Sequence, residues 1–250
     1  MPAPQAAAAT RRGTRPYNAD AARTWTTDKT TVATVVDGIG NSAEVAASSR
    51  LLAGVIARVA AHRGGLAALL TAADLLRAPA VDGENPDAVA VAAVAHDDVT
   101  AVHWIGDARA YGWDGRRLRR YTTDQTVGEQ LRRNGAPWDL AADHDNWVRA
   151  TLRTAVIAAV YDVEIPADET VLLVSDGVPD GVPHDELEAL LRRYDEPQDE
   201  DGEAVGLPAL ARGIIAAARE DETGYRDDAT VVVLRPAAAR GAVLRDRPTR

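Results

Sequence analysis

The sequence predicts an α+β protein whose strands run mostly antiparallel. Short apolar strand candidates and stretches of helical periodicity arrive in blocks, without the regular βαβα alternation of a doubly wound sheet. The segment RAYGWDGRRLRRYT alternates around Asp114-Gly115, a dipeptide that supplies positive φ to a two-residue hairpin turn and so joins antiparallel strands. No internal repeat is present.

Strands are expected over residues 31–36, 88–95, 99–105, 170–174 and 230–234, each short and rich in valine or other apolar residues, several of them buried on both faces. After the first strand, Leu52, Val55, Ile56 and Val59 fall at i, i+3, i+4 and i+7 and define one apolar helix face, with Asn41 or Ser42 as cap and Gly64 as stop. Leu66, Leu69, Leu70 and Ala73 repeat that spacing and Pro79 ends the segment, so a second helix is expected to pack antiparallel to the first. Thr126 and Glu129 form a capping-box pattern for a short helix closing near Gly135, and DNWVRATLRTAVIAA is a further helix candidate. Helical periodicity returns at 185–193 and 207–220. Residues 1–13 and 236–250 lack an apolar period and read as poorly ordered tails, the second of them basic, around one domain at 14–235.

With 250 residues, 46% of them hydrophobic, the chain can fill a substantial core. The absence of cysteine excludes a disulfide framework, thiolate metal sites and a thiolate nucleophile, so any metal is held by oxygen or imidazole. A formal charge of -10 disfavours nucleic acid and anionic membranes as partners. No secretory signal and no bilayer-spanning apolar run is read, so a cytoplasmic protein acting as a monomer is expected.

Asp-Gly occurs six times, at 37, 82, 114, 176, 180 and 201, and the default reading of each is a turn. Two stand apart: TVVDG and VLLVSDG place Asp37 and Asp176 directly after unbroken apolar runs, where a buried strand leaves the core. GYRDDATVVVLRP presents Asp227 and Asp228 immediately before another such strand. If these strand ends meet, the carboxylates repel unless a cation joins them, and an all-oxygen set suits Mg²⁺ or Mn²⁺ better than zinc or copper.

The ordered set RPYNADA, VVDGIG, WIGDARAY, LLVSDG and RDDATVVVL resembles the motifs of the metal-dependent serine/threonine protein phosphatases of type 2C, the PPM family, over roughly residues 15–233. The resemblance implies a four-layer α-β-β-α sandwich, two packed mostly antiparallel sheets flanked by antiparallel helices, with a metal site at one end. It further implies that Asp37 bridges two Mg²⁺ or Mn²⁺ ions, that the Gly38 carbonyl joins the second and that Asp176 and Asp227 ligate the first. Asp20 would act at the edge of the site, Arg15 would hold the substrate phosphate with its planar fork of donors, and Asp107 with Asp176 would contribute to a third ion. For Asp107 the alternative is a turn acid paired with Arg109, and for Arg15 a solvated tail residue.

The implied reaction is hydrolysis of phosphoserine and phosphothreonine in proteins. A hydroxide bridging two ions roughly 3.5–4 Å apart attacks phosphorus in line, without a phosphoenzyme. A serine/threonine kinase or phospho-switched regulator would be the functional counterpart. Ile39 stands where some members carry a histidine after Asp-Gly, and none of the five histidines, at 62, 96, 103, 144 and 184, is assigned to catalysis. Ala19, Asp87-Ala88, Gln125 and Asp228 also depart from the pattern. They motivate a second reading, a phosphoprotein-binding or regulatory module with weak or no turnover. A nuclease or small-molecule phosphoesterase on another acidic scaffold is a third, against which the net charge and the lack of a basic stripe argue.

Overall fold

The computed structural model describes residues 4–28, 30–77, 85–195 and 206–235. Strand β1 (Gln5–Arg11), β2 (Ala21–Thr26) and β3 (Thr31–Ile39) precede the long helix α1 (Ala43–Arg77). Then come β4 (Asp87–Ala95), β5 (Val99–Ile105), β6 (Arg109–Trp113) and β7 (Leu118–Arg120), followed by short helices α2 (Val127–Arg133) and α3 (Trp138–Ala142). The chain continues through β8 (Tyr161–Pro166), β9 (Thr170–Val174), α4 (Gly177–Gly181), α5 (His184–Asp195), α6 (Leu207–Ala217) and β10 (Ala229–Arg235).

The strands form two five-stranded sheets, ordered β1-β10-β9-β6-β7 and β2-β3-β4-β5-β8, with antiparallel pairing throughout. The period of two along each strand explains the layering. In β4, Ala88, Ala90, Ala92 and Val94 face α1, while Val89, Val91, Ala93 and Ala95 face the other sheet. In β9, Leu172 and Val174 face α4, α5 and α6, while Val171 and Leu173 face inward. Both faces of these strands are covered, which is why their sequences read as unbroken apolar runs. The result is the four-layer α-β-β-α sandwich, with helices on both outer faces.

All five expected strands are present, within a few residues of their expected bounds. Ser42 caps α1, its hydroxyl accepting from the Val45 amide at 3.3 Å. The two expected helices are the two halves of α1, which breaks at Gly64 (φ 80°, ψ 168°), a backbone conformation that a side chain disfavours. Leu52 and Ile56 of the first half and Leu69 and Leu76 of the second share one core cluster with β3 and β4. Pro79 lies outside the described residues, as do the Asp-Gly pairs at 82 and 201 and the C-terminal segment 236–250. By length and composition α1 passes for a membrane span, contrary to the expectation of no such run, and one side of it packs on β3 and β4 in a core cluster.

Three expectations change. The N-terminal segment contains β1, which pairs along its length with β10 from Gln5↔Arg235 to Arg11↔Ala229. Alanines without any visible period suffice there, because main-chain pairing and burial of Ala7 against the helices hold this edge strand. The hairpin tip is shifted by one residue: Asp114 and Arg117 close it, Gly115 and Arg116 form it, and the Asp114 carboxylate accepts the amides of Arg116 and Arg117 at 2.8 Å. Residues 145–159 contain two single 3-10 turns, Leu152–Thr154 and Ile157–Ala159, instead of a helix. Tertiary contacts decide this, since Val148 bridges to Thr126 and the Arg149 amide donates to the Gln125 carbonyl, drawing the chain out straight. The α2 helix has one half of its expected capping box: Thr126 accepts from the Glu129 amide at 3.2 Å, while the Glu129 carboxylate takes Arg133 at 3.1 Å.

Because β1 covers the outer edge of β10, deleting residues 1–11 is expected to lower the melting temperature by several degrees. A thermal melt followed by circular dichroism checks this, and an unchanged melting temperature would show that the segment is a dispensable tail.

Candidate functional site

Asp37 ends the buried part of β3 in one sheet, and Asp176 follows β9 in the other. The two carboxyl groups lie close enough for each to act on the other's ionisation. Both open onto a cavity of about 720 Å³ that is also lined by Arg15, Gly38, Asp107 and Asp227. Six of the seven residues singled out from the sequence therefore share one cavity. Asp20 is the seventh and lies behind it, 5% exposed, its carboxylate accepting from the Ser175 hydroxyl at 2.6 Å. Ser175 directly follows β9 and Asp20 directly precedes β2, so this bond pins one sheet to the other at the site.

The backbones meet closely enough to require glycine. A Cβ on Gly38 would lie 2.5 Å from the Ser49 hydroxyl and 2.6 Å from Val45 of α1, and one on Gly177 would lie 2.1 Å from the Asp228 carbonyl. The glycine of each Asp-Gly pair thus lets a second element approach the acid, as well as allowing a turn.

Burial pushes the Asp37 carboxyl well above the usual carboxylate range, and the charges of Asp176, Asp20, Asp107 and Asp227 push it further. Burial and the nearby Asp107, Asp180 and Asp227 raise Asp176 to about 7. Burial and Asp124 raise Asp107 to about 6. Asp20 is raised by burial in spite of its bonds to Ser175 and Thr230. This end of the sandwich holds more negative charge than its protein surroundings balance.

Asp227 is differently placed. Its Oδ1 takes the Arg15 guanidinium and the Asp228 amide at 2.7 Å, and its Oδ2 takes the Tyr225 hydroxyl at 3.0 Å. Among the described residues, no three acidic or imidazole groups close on a single point. The acids share a cavity, with Asp227 turned toward Arg15 and Asp20 toward Ser175. The set still fits a hard divalent cation by chemistry, being all oxygen and enriched in carboxylates that burial and mutual repulsion drive toward neutralisation.

Several residues gain a role that spacing did not show. Asp107 is 7% exposed and faces the cavity, and the partner proposed for it, Arg109, is bonded instead to Asp124 at 2.9 Å. Gln125 is a structural pin: its Oε1 accepts the Gly106 amide at 2.7 Å and its Nε2 donates to the Ala159 carbonyl at 2.7 Å, fixing the turn that carries Asp107. Asp228 accepts the Gly13 and Ala19 amides, each at 2.7 Å, and so straps both ends of the Arg15 segment to the start of β10. Asp87 lines the cavity, as do Ile39, Asp180 and Tyr225. Ser175 and Tyr225 lay inside quoted motifs, but nothing in spacing distinguishes a hydroxyl that reaches across two sheets.

No family model matches this chain, and no curated protein does. Solved structures do. A serine/threonine phosphatase from S. agalactiae superposes with a TM-score of 0.77 at 15% identity, covering 93% of this chain and 99% of that one. The PPM Ser-Thr phosphatase MsPP from Mycobacterium smegmatis, solved with cacodylate, gives 0.65 at 22% identity over 95% and 100%. The catalytic domain of the serine/threonine protein phosphatase PstP, solved with two manganese ions, gives 0.67 at 23% identity over 93% and 98%. The chain has the fold of bacterial PPM-type serine/threonine phosphatases.

The raised carboxyls set a pH dependence in metal-free protein. A group near 7 when folded and 3.8 when unfolded leaves stability intact below about 4 and removes it as pH rises through 4 to 7. Asp176→Asn, in EDTA, is therefore expected to melt near the wild type at pH 4 and several degrees above it at pH 8. Melting temperature against pH checks this, and a wild type that gains on the variant between pH 4 and 8 would contradict it.

Proposed function

We propose that this protein is a Mg²⁺- or Mn²⁺-dependent phosphatase that hydrolyses phosphoserine and phosphothreonine in proteins. The observation that carries the reading is the meeting of Asp37, Asp107, Asp176 and Asp227, from different strand ends and turns, on one cavity that also receives Arg15. The fold shared with bacterial serine/threonine phosphatases supports it.

Asp37, Asp176 and Asp227, with the Gly38 carbonyl, would hold two divalent ions, and Asp107 with Asp176 would serve a third. When bound, such ions supply charge neutralisation at the phosphoryl oxygens and a more acidic water. Asp37, near the end of β3 and on the cavity, would be the residue shared between two ions. Asp20, fixed by Ser175, would act through water at the edge of the site. Arg15 would take the substrate phosphate through two parallel N–H donors, a geometry that lysine lacks. Ile39, 44% exposed at the cavity, offers no proton, so leaving-group protonation would fall to water. Gln125 and Asp228, two of the departures behind the binding-module reading, have structural roles compatible with turnover.

In Mn²⁺ the protein is expected to hydrolyse an aryl phosphate and a phosphothreonine peptide, and chelation should abolish both. Asp37→Asn should lower kcat by about a hundredfold or more, as loss of a group stabilising the transition state does. Arg15→Lys should raise KM by about tenfold with a smaller effect on kcat. Steady-state kinetics checks these outcomes, and activity indifferent to chelation or to Asp37→Asn would refute the reading.

A further inference from the structure

Arg15 and Asp227 are each assigned a different partner by the function proposed above, yet in the structure they hold one another. The Arg15 guanidinium bonds Asp227 Oδ1 and lies 5.9 Å from the centre of the Tyr225 ring. Its Nε is buried and has no partner, so the guanidinium keeps unused donors while it borders the cavity. Tyr225 holds the other oxygen of the same carboxylate at 3.0 Å. Burial and Asp227 raise the Tyr225 phenol to about 12, which keeps it a donor at neutral pH. Behind this group, Asp228 fixes the Gly13 and Ala19 amides and the Thr14 amide donates to the Arg226 carbonyl at 2.9 Å, so the backbone carrying Arg15 is anchored and only its side chain is free to turn.

We propose that Arg15 is held in reserve on Asp227, that a divalent cation taking this carboxylate releases the guanidinium toward the substrate phosphate, and that Tyr225 is the positioning residue keeping Asp227 in place through the exchange. The inference rests on the reading that Asp227 ligates the cation and Arg15 the phosphate. A carboxylate oxygen engaged by a guanidinium is a weaker ligand, and a guanidinium engaged by a carboxylate is a weaker anion site. Removing one constraint therefore removes the other, and cation and phosphate each tighten the other's binding by the same factor.

The test is calorimetric titration of inorganic phosphate into the full-length protein in EDTA. Asp227→Asn takes away the negative charge that holds Arg15 and should bind phosphate about tenfold more tightly than the wild type. The double variant Arg15→Ala, Asp227→Asn should lose that gain. Asp176→Asn removes an equal charge from the same cavity without touching Arg15, so its gain should stay at about twofold or less. Equal gains in the two asparagine variants, or a gain that survives loss of Arg15, would overturn the proposal. A second titration, of Mn²⁺ alone, should show tighter binding in Arg15→Ala and weaker binding in Tyr225→Phe. Unchanged Mn²⁺ affinity in Arg15→Ala would overturn it independently, with the phosphatase reading left standing. A wild type that binds no Mn²⁺ would remove that reading and this proposal together.

Discussion

The constraint on which the structure turns is the crowding of acidic groups where two sheets come together. Asp37 and Asp176 approach one another from strand ends of opposite sheets, Asp107 raises both, and Asp20 raises Asp37 further. Like charges held out of water destabilise a fold unless something neutralises them. The rest of the architecture keeps the groups from relaxing apart. Each sheet is covered on both faces, and the strand ends cannot drift without opening one of the three apolar layers.

The short bonds behind the cavity belong to the same design. Ser175 bonds Asp20 in the opposite sheet, while its hydroxyl also accepts the Thr230 amide at 3.0 Å, so β2, β9 and β10 are locked at one point. Gly38 and Gly177 bring main chains closer than any side chain would allow. Asp228, buried to 2% exposure, uses both oxygens on main-chain amides, a task that suits a carboxylate because it has acceptors on both sides and an amide side chain only on one. The segment that looked like a tail and the acid that looked like a departure from a family motif are thus two halves of one attachment.

The sequence by itself determined the five central strands, the two halves of α1 and the acids at the strand ends. These are local matters: β-branched runs, a 3.6-residue period, a serine cap and an aspartate at the edge of an apolar stretch are written within a few residues. The motif order carried the fold further, to the layered sandwich. Tertiary structure alone decided the rest, because it depended on contacts between distant segments. Alanine-rich residues 5–11 became a strand through pairing with β10, and residues 145–159 stayed out of a helix through bonds to Gln125 and Thr126. Arg109 took Asp124 in preference to Asp107, and Arg15 took Asp227, choices that no spacing encodes. Which acids exist at strand ends is a property of the chain; which of them share a cavity, and which basic group answers each, is set by the packing of two sheets against each other.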